Sequence, residues 1–193
     1  LSARPDGLDR TLVRERSDAW SGGAVHWLAP GEAAEFTVNA APENLWQIWE
    51  KAQAEGVDLV LQQTQGRRKS MLLADMDSTM IEQECIDELA DEAGVGDQVK
   101  DITARAMNGE LDFEAALIER VGLLKGLDAG IIQQVFLERI TFTPGGKTLI
   151  ATMAANGGYA ALVSGGFTAF TVRVAKALGF DEHRANTDRK SVV

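Results

Sequence analysis

One stretch decides the fold of this chain: Met71-Leu72-Leu73-Ala74-Asp75-Met76-Asp77-Ser78-Thr79. Its apolar half predicts a buried strand of a parallel sheet, and ligands of such sheets bind just beyond the carboxyl ends of the strands. Asp75 and Asp77 would then stand side by side at the mouth of a site, where their mutual repulsion requires a cation or a shared proton. A hard dication such as Mg²⁺ is the simplest compensation. The alternative is an Asp-rich turn after an ordinary strand, because Asp and Ser are common turn residues.

Composition and charge exclude several classes of protein. The 193 residues include 29 acidic and 19 basic side chains, and the net charge of −10 argues against a nucleic-acid partner, which needs a basic face. No apolar run approaches the roughly 18 residues that a membrane span needs, so we expect no membrane partner. Cys85 is the single cysteine, which excludes an internal disulfide and indicates a reducing, cytoplasmic location.

Residues 1–68 predict a small α+β domain. Its expected elements are a helix over Leu8–Trp20, strands over Ala24–Leu28 and Ala34–Val38, a helix beginning near Pro42, and a strand over Val57–Gln62. One further strand before Leu1 would complete a split βαβ, ferredoxin-like unit, so we expect the domain to lack its first strand. A structural or oligomerising role is the favoured interpretation, because no ligand motif is present. A polar linker then leads into a second domain over 69–187.

The segment of about 82–140 predicts four helices that follow the first strand of this second domain. Apolar residues recur at helical spacing, and Gly94 and Gly109 mark helix ends. Helices inserted after a strand are placed to form a lid over its carboxyl end, where they would exclude water from a reaction. The alternative is an ordinary helical bundle packed beside the sheet.

A second motif follows another apolar run, Tyr159–Val163. The run ends in Ser164-Gly165-Gly166-Phe167, and a helix is predicted from about Thr168 to Leu178. A strand, small residues and a helix N-terminus form an arrangement that binds phosphate through backbone N–H groups, and a serine hydroxyl adds a donor. A Ser-Gly-Gly turn alone is a weak signal. Paired aspartates on one strand and neutral donors on its neighbour together predict a site for a phosphate.

These motifs resemble those of a known family. Asp75-Met76-Asp77-Ser78-Thr79 resembles the first motif of the haloacid dehalogenase superfamily, and Ser164-Gly165-Gly166-Phe167 resembles its second. Glu84 and Ile86-Asp87-Glu88-Leu89-Ala90 make the chain similar to phosphoserine phosphatases in particular. The resemblance covers about Leu72 to Asn186. It implies an HAD-like Rossmannoid parallel sheet, incomplete here, with a helical-bundle cap, preceded by an ACT-like domain.

The resemblance also implies the roles of residues at the two motifs. Asp75 would be the nucleophile that forms an aspartyl-phosphate, and Asp77 would be the general acid and base. Mg²⁺ would be held by the Asp75 carboxylate and the backbone carbonyl of Asp77. Ser164 and the Gly165 amide would bind phosphate oxygens. The expected reaction is hydrolysis of O-phospho-L-serine to L-serine and phosphate, the last step of serine biosynthesis.

Four further residues would recognise the seryl part of the substrate. Glu84 would pair with its ammonium group, and Arg120 with its carboxylate. Met107 and Phe113 would line the apolar wall around its carbons. From the residues alone, Glu84 would be interpreted as a solvated charge at a helix start. Arg120 could be a surface partner of Glu119 or Glu114, and residues such as Met107 and Phe113 are more often core.

The family pattern is incomplete in this chain. A lysine that neutralises the phosphate and an acidic turn that supplies metal ligands have no counterpart before Asp188. We therefore interpret 188–193 as a non-native tail on a fragment, and expect the chain as written to be inactive and poorly soluble.

The sequence leaves two rival functions open. One is another small-molecule phosphatase of the same superfamily, and the other is a non-catalytic regulator that binds an amino acid through residues 1–68. A homodimer is compatible with each of them.

Overall fold

The computed structural model describes residues 1–187, and the predicted tail at 188–193 lies outside them. Two compact units divide the chain, Leu1–Arg68 and a second that begins at Lys69. In the described part of the chain, no helix is long and apolar enough to cross a bilayer.

The first unit alternates strands and helices around one small sheet. Its elements are β1 (Ser2–Ala3), α1 (Arg10–Ala19), β2 (His26–Ala29), β3 (Ala33–Glu35), α2 (Leu45–Ala54) and β4 (Val57–Asp58). The sheet is antiparallel with strand order β2-β3-β1-β4. Asp9 begins α1, because its carboxylate accepts the N–H groups of Thr11 and Leu12 at 2.6 and 3.0 Å.

The prediction that this unit lacks its first strand is wrong. Ser2 pairs with Ala33 of β3 on one side and with Asp58 of β4 on the other, so β1 occupies the centre of the sheet. The other strands are shorter than predicted, and β4 ends at Asp58 although the alternating pattern continues to Gln62. The small core of the unit contains Leu8, Val13, Ala34, Ala52, Val57 and Leu59.

The second unit contains a parallel three-stranded sheet, as the α/β prediction requires. Its strands are β5 (Met71–Ala74), β6 (Tyr159–Phe167) and β7 (Glu182–Asn186), in the order β5-β6-β7. Strand β7 was not predicted, because its sequence Glu-His-Arg-Ala-Asn has little apolar character. Helices α7 (Gly146–Ala155) and α8 (Thr168–Leu178) connect the strands.

The core of this unit lies on one face of the sheet. Leu72 and Ala74 of β5 and Leu162 of β6 pack there with Ile150 of α7 and Phe170 of α8. The opposite face is open within the described residues, and Met71 and Leu73 are 57% and 63% exposed. The prediction that β5 is a buried strand is therefore wrong for its alternate residues, because Met71 and Leu73 project from the face of the sheet that the described residues leave uncovered.

Four helices lie between β5 and α7, as the pattern of apolar residues predicts. They are α3 (Cys85–Glu92), α4 (Gly96–Met107), α5 (Phe113–Leu123) and α6 (Gly130–Glu138). Asp112 caps α5, with its Oδ1 accepting the N–H of Ala115 at 2.8 Å. These four helices are called the cap below.

Helix α7 begins at Gly146 and not at Thr143-Pro144, although Thr and Pro are common at helix starts. Its cap residue is Gly145, with φ of 85° in the left-handed region. Thr143 instead donates its N–H to the carbonyl of Met80 at 3.1 Å, and Ile81 forms a bridge with Phe142 beside it. The chain thus leaves and re-enters the sheet region through two paired segments, which set the cap above the carboxyl end of β5.

Candidate active site

A cavity of about 160 Å³ lies at the carboxyl ends of β5 and β6. Ala74 pairs with Leu162 in the parallel ladder, so the residues that follow these strands meet at one edge. The cavity is lined from the sheet side by Asp75, Asp77, Ser164, Gly165, Gly166 and Phe167, and from the cap side by Glu84, Cys85, Ile86, Phe113, Leu117 and Arg120. Two motifs that are far apart in the sequence therefore form one site.

A tight turn directs both aspartates toward the cavity. The carbonyl of buried Met76 accepts the N–H groups of Thr79, Met80 and Ile81 at 3.3, 2.9 and 3.0 Å. Ser78 adopts a φ of 50°, an uncommon conformation for a residue with a side chain. This turn reverses the chain immediately after Asp77, so its carboxylate stays close to the end of β5.

The carboxylate of Asp77 is held at both oxygens. Oδ1 accepts the backbone N–H of Cys85 at 2.8 Å, and Oδ2 accepts the hydroxyl of Ser164 at 3.1 Å. The Ser164 hydroxyl in turn accepts the N–H of Gly166 at 2.8 Å. These donors come from two segments that are distant from each other in the sequence, at Cys85 and at Ser164–Gly166. The Asp77 carboxylate therefore has a defined orientation before any ligand binds.

The two glycines of the second motif differ in the space beside them. A Cβ on Gly166 would lie 2.9 Å from Oδ2 of Asp77 and 3.1 Å from Oγ of Ser164. A Cβ on Gly165 would meet the ring of Phe113 at 3.4 Å, an ordinary contact distance. The close approach of β6 to Asp77 therefore depends on a glycine at position 166.

Glu84 faces the cavity because another residue holds its side chain. It occupies the cap position of α3, yet its side chain makes no hydrogen bond to the N–H groups of that helix. The Ser78 hydroxyl donates to Oε1 of Glu84 at 2.7 Å instead. The N–H of Cys85, the first residue of α3, has no acceptor within the helix and donates to Asp77 instead. Helix α3 is thus capped by an aspartate, and Glu84 is left available to a ligand.

Helix α5 brings a cation and apolar side chains to the opposite rim. Arg120 donates through Nε to the carbonyl of Ala116 at 3.3 Å, and Phe113, Leu117 and Arg120 share the face that lines the cavity. Asp87 of α3 lies near Arg120. Burial raises the pKa of Asp87, and the positive charge of Arg120 partly opposes that shift.

Cys85 has the environment of an inert thiol. Burial raises its pKa far above the usual value, and the neighbouring charge of Asp77 raises it further. Because the reactive form of cysteine is the thiolate, this side chain supplies no nucleophile to the cavity.

The structure brings together every predicted site residue except Met107. That side chain is 84% exposed at the end of α4 and does not line the cavity. Sequence reasoning assigned no individual role in the site to five lining residues, which are Cys85, Ile86, Leu117, Gly166 and Phe167. Leu117 could have been found, because it lies four residues after Phe113 and three before Arg120 and so shares their helical face.

The donor set suits a hard cation in part. Carboxylate and carbonyl oxygens are the ligands that Mg²⁺ prefers, and Asp75 and Asp77 supply them at the cavity floor. Across residues 1–187, no group of three or more His, Cys, Asp or Glu side chains is arranged to hold a metal. The described residues therefore provide part of a coordination shell.

Comparison with known proteins identifies the class. The model of the haloacid dehalogenase-like hydrolase family matches residues 72–191, and the chain belongs to that family.

Particular relatives share the name phosphoserine phosphatase. That of Archaeoglobus fulgidus is 43% identical over 153 residues, which are 76% of this chain and 44% of that protein. That of Streptomyces coelicolor is 41% identical over 162 residues, 82% of this chain and 39% of that protein. That of Streptococcus thermophilus is 48% identical over 118 residues, 61% of this chain and 54% of that protein. The chain thus spans about half or less of the length of these relatives.

Solved structures of an HAD family hydrolase and of phosphoserine phosphatases also align with this chain. An HAD family hydrolase from Salmonella enterica serovar Typhi aligns with a TM-score of 0.79 at 27% identity, covering 92% of this chain and 63% of that one. A substrate-bound phosphoserine phosphatase complex aligns with a TM-score of 0.57 at 40% identity, covering 63% and 57%. A phospho-aspartyl intermediate analogue of phosphoserine phosphatase aligns with a TM-score of 0.56 at 41% identity, covering 63% and 57%.

Proposed function

We propose that this chain carries part of the active site of a phosphoserine phosphatase, which hydrolyses O-phospho-L-serine to L-serine and phosphate in the cytoplasm as the last step of serine biosynthesis. One observation carries the proposal. The cavity has a carboxylate pair and a serine hydroxyl at its floor. The Glu84 carboxylate and the Arg120 cation lie on its rim. This arrangement complements a phosphate ester that bears both an ammonium group and a carboxylate. The names of the relatives support the same substrate.

The first half of the proposed reaction is attack by Asp75. Its carboxylate oxygen bonds to phosphorus while the bond from phosphorus to the seryl oxygen breaks, which gives an aspartyl-phosphate and the serine oxyanion. Asp77 supplies the proton that this oxygen takes up. Ser164 and the Gly165 amide bind the phosphate oxygens. The similarity of this chain to a phospho-aspartyl intermediate analogue of phosphoserine phosphatase supports this step.

The second half returns the enzyme to its initial state. Water attacks the phosphorus, the bond to Asp75 breaks, and the proton of the water passes to Asp77. The hydrogen bond from the N–H of Cys85 to Oδ1 of Asp77 leaves Oδ2 to gain and lose the proton, while the single Ser164 hydroxyl proton turns from Oδ2 to the phosphate. Mg²⁺, held by the Asp75 carboxylate and the Asp77 carbonyl, would reduce the repulsion between the carboxylate and the phosphate.

We also propose that the 193-residue chain turns over slowly by itself. Arg120 is the one cation among the described lining residues, and its proposed partner is the substrate carboxylate. The charge on the transferring phosphoryl group is then poorly compensated, and such compensation is a large part of enzymatic catalysis. Substrate binding needs fewer groups and should survive.

Titration calorimetry and a phosphate-release assay test these proposals together. With Mg²⁺ present, the chain should bind O-phospho-L-serine more tightly than inorganic phosphate, O-phosphothreonine or phosphohomoserine, and release little phosphate. Asp75→Asn should abolish any release, whereas Asp101→Asn on an exposed part of α4 should not. Equal affinity for all four ligands would favour another phosphatase of the family.

We propose that Leu1–Arg68 is an ACT-like domain with a structural or oligomerising role. Its strand–helix–strand–strand–helix–strand order and its sheet order β2-β3-β1-β4 support a ferredoxin-like unit. The rival, an amino-acid-binding regulator, predicts that serine binds the whole chain at a second site. Calorimetry with L-serine on the Asp75→Asn chain, compared with a Glu84→Gln variant, separates binding at the cavity from binding elsewhere.

A further inference from the structure

The two segments that join the cap to the sheet are paired along their backbones. We call them the neck: Met80–Gln83 leads into α3, and Thr141–Thr143 returns toward α7. Glu82 donates its N–H to the carbonyl of Thr141 at 3.0 Å, and Thr143 donates to the carbonyl of Met80 at 3.1 Å. The position of the cap is thus set where these segments meet.

Side chains extend this pairing by one residue. Oε1 of Gln83 accepts the N–H of Thr141 at 2.9 Å, and Nε2 of Gln83 donates to Oγ1 of Thr141 at 2.8 Å. The Thr141 hydroxyl then donates to Oε2 of Glu82 at 2.7 Å. The Thr141 N–H fixes which end of the Gln83 amide faces it, because only the amide oxygen can accept. One glutamine therefore binds both the backbone and the side chain of Thr141.

Gln83 is joined on its other side to the loop that carries the aspartates. Its carbonyl accepts the N–H of Ser78 at 3.1 Å. The next two residues are also tied to that loop, Glu84 through the Ser78 hydroxyl and Cys85 through Asp77. Gln83 thus links the returning neck segment, the aspartate loop and the start of α3.

The position of α3 determines part of the position of α5, because the two helices are in contact. Cys85 and Leu89 of α3 are buried in the core beneath the sheet, whereas the buried residue of α5, Ala116, lies outside that cluster. Helix α5 contacts α3 and α4. Leu124 at the end of α5 also packs against the core, so the location of Phe113 and Arg120 over the cavity depends in part on how α3 is held.

We propose that Gln83 and Thr141 are a pair of positioning residues, which fix α3 and thereby place Glu84 and Arg120 at the distance that a phosphoamino acid requires. The part that concerns the ligand rests on the proposed function. The placement of the cap does not, and it can be measured without a ligand. Neither side chain touches the substrate, so the pair acts on recognition through the cap.

Spin labels on the full chain test the placement. Ile118 of α5 and Val172 of α8 are 64% and 45% exposed. Ile118→Cys and Val172→Cys therefore give one label on the cap and one beside the sheet. The native Cys85 is buried and should not react with the label. Pulsed electron resonance should show a wider distance distribution when Gln83→Leu or Thr141→Val is added. Thr141→Ser, which keeps the hydroxyl, should restore the narrow distribution. Gln133→Leu and Thr148→Val, at exposed positions on α6 and α7, are matched controls.

Calorimetry with two ligands tests the effect on recognition. Gln83→Leu and Thr141→Val should each weaken binding of O-phospho-L-serine about three- to tenfold, as expected for one lost hydrogen-bonded contact, and leave inorganic phosphate unchanged. The double variant should lose less affinity than the sum of the single losses, because both substitutions remove the hydrogen bond from Nε2 of Gln83 to Oγ1 of Thr141. A merely structural weakening would reduce the affinity for both ligands.

An unchanged distance distribution in both variants would overturn the positioning role. So would a wider distribution accompanied by equal losses for the two ligands. If the parent chain shows no preference for O-phospho-L-serine, the proposed function fails, while the label distances still decide whether the pair holds the cap.

Discussion

The close approach of β6 to Asp77 gives a sharp prediction for Gly166→Ala. The added Cβ would lie 2.9 Å from Oδ2 of Asp77, and unstrained non-bonded contacts lie near 3.5 Å, so the carboxylate must move by about 0.5 Å. Its other oxygen is bound to the N–H of Cys85, which limits where it can go. The hydrogen bond from Ser164 is already 3.1 Å long, and such a movement carries it beyond the bonding range.

The expected cost follows from these distances. A hydrogen bond to a charged group contributes about 1.5–3 kcal/mol to stability, whereas Gly→Ala at a compatible position stabilises by about 0.4–1 kcal/mol through the unfolded chain. The net destabilisation of Gly166→Ala should be about 1–2 kcal/mol. Gly165→Ala is the matched control, because its Cβ meets Phe113 at an ordinary 3.4 Å and should be neutral or slightly stabilising.

Urea unfolding and phosphate calorimetry measure the two consequences. Gly166→Ala should lower the free energy of unfolding relative to Gly165→Ala and should weaken phosphate binding, because Ser164 loses its orientation. If the two variants had equal stability and equal phosphate affinity, the argument that Gly166 is required by the approach to Asp77 would be refuted.

Three further predictions concern the cap and its start. Asp112→Ala should destabilise the protein by about 1 kcal/mol in urea unfolding, because the N–H of Ala115 loses its cap, and Asp112→Asn should recover most of the loss. The Cys85 thiol should not react with a disulfide reagent at pH 8 in the native protein and should react fully in denaturant, since burial raises its pKa; rapid native labelling would contradict this. Asp87→Asn should raise stability at neutral pH and have no such effect at acidic pH. The raised pKa of Asp87 means that the native state binds its proton more tightly than the unfolded state does. The parent chain therefore loses stability as pH rises through the native pKa of Asp87, whereas Asp87→Asn does not. If parent and variant had the same difference in unfolding free energy at both pH values, this linkage would be excluded.

Much of the site could be predicted from local sequence. An apolar run that ends in Asp75 and Asp77 predicts both a strand and the edge at which it ends, because ligands of parallel sheets bind beyond the carboxyl ends of strands. The same rule predicted that Ser164 would lie beside them, and the structure joins Ser164 to Asp77. The helices of the cap were predicted for a similar reason, since apolar spacing is a local signal.

Other features depended on residues distant in the sequence. Strand β7 has a polar sequence and exists because it pairs with β6. Helix α7 begins at Gly146 rather than at Thr143, whose backbone N–H is used in the neck. Met107 has the residue type of a pocket wall and still lies exposed at the end of α4.

The sequence by itself determined the family, the parallel strand and the two motifs that meet at its end. The tertiary structure alone decided that Asp77 caps α3, that Ser78 holds Glu84, and that Gln83 binds Thr141, which lies 58 residues further along the chain. The physical reason is the range of each interaction. Apolar periodicity and turn chemistry act between near neighbours, whereas a hydrogen bond between remote residues has no local pattern and forms only after the chain has folded.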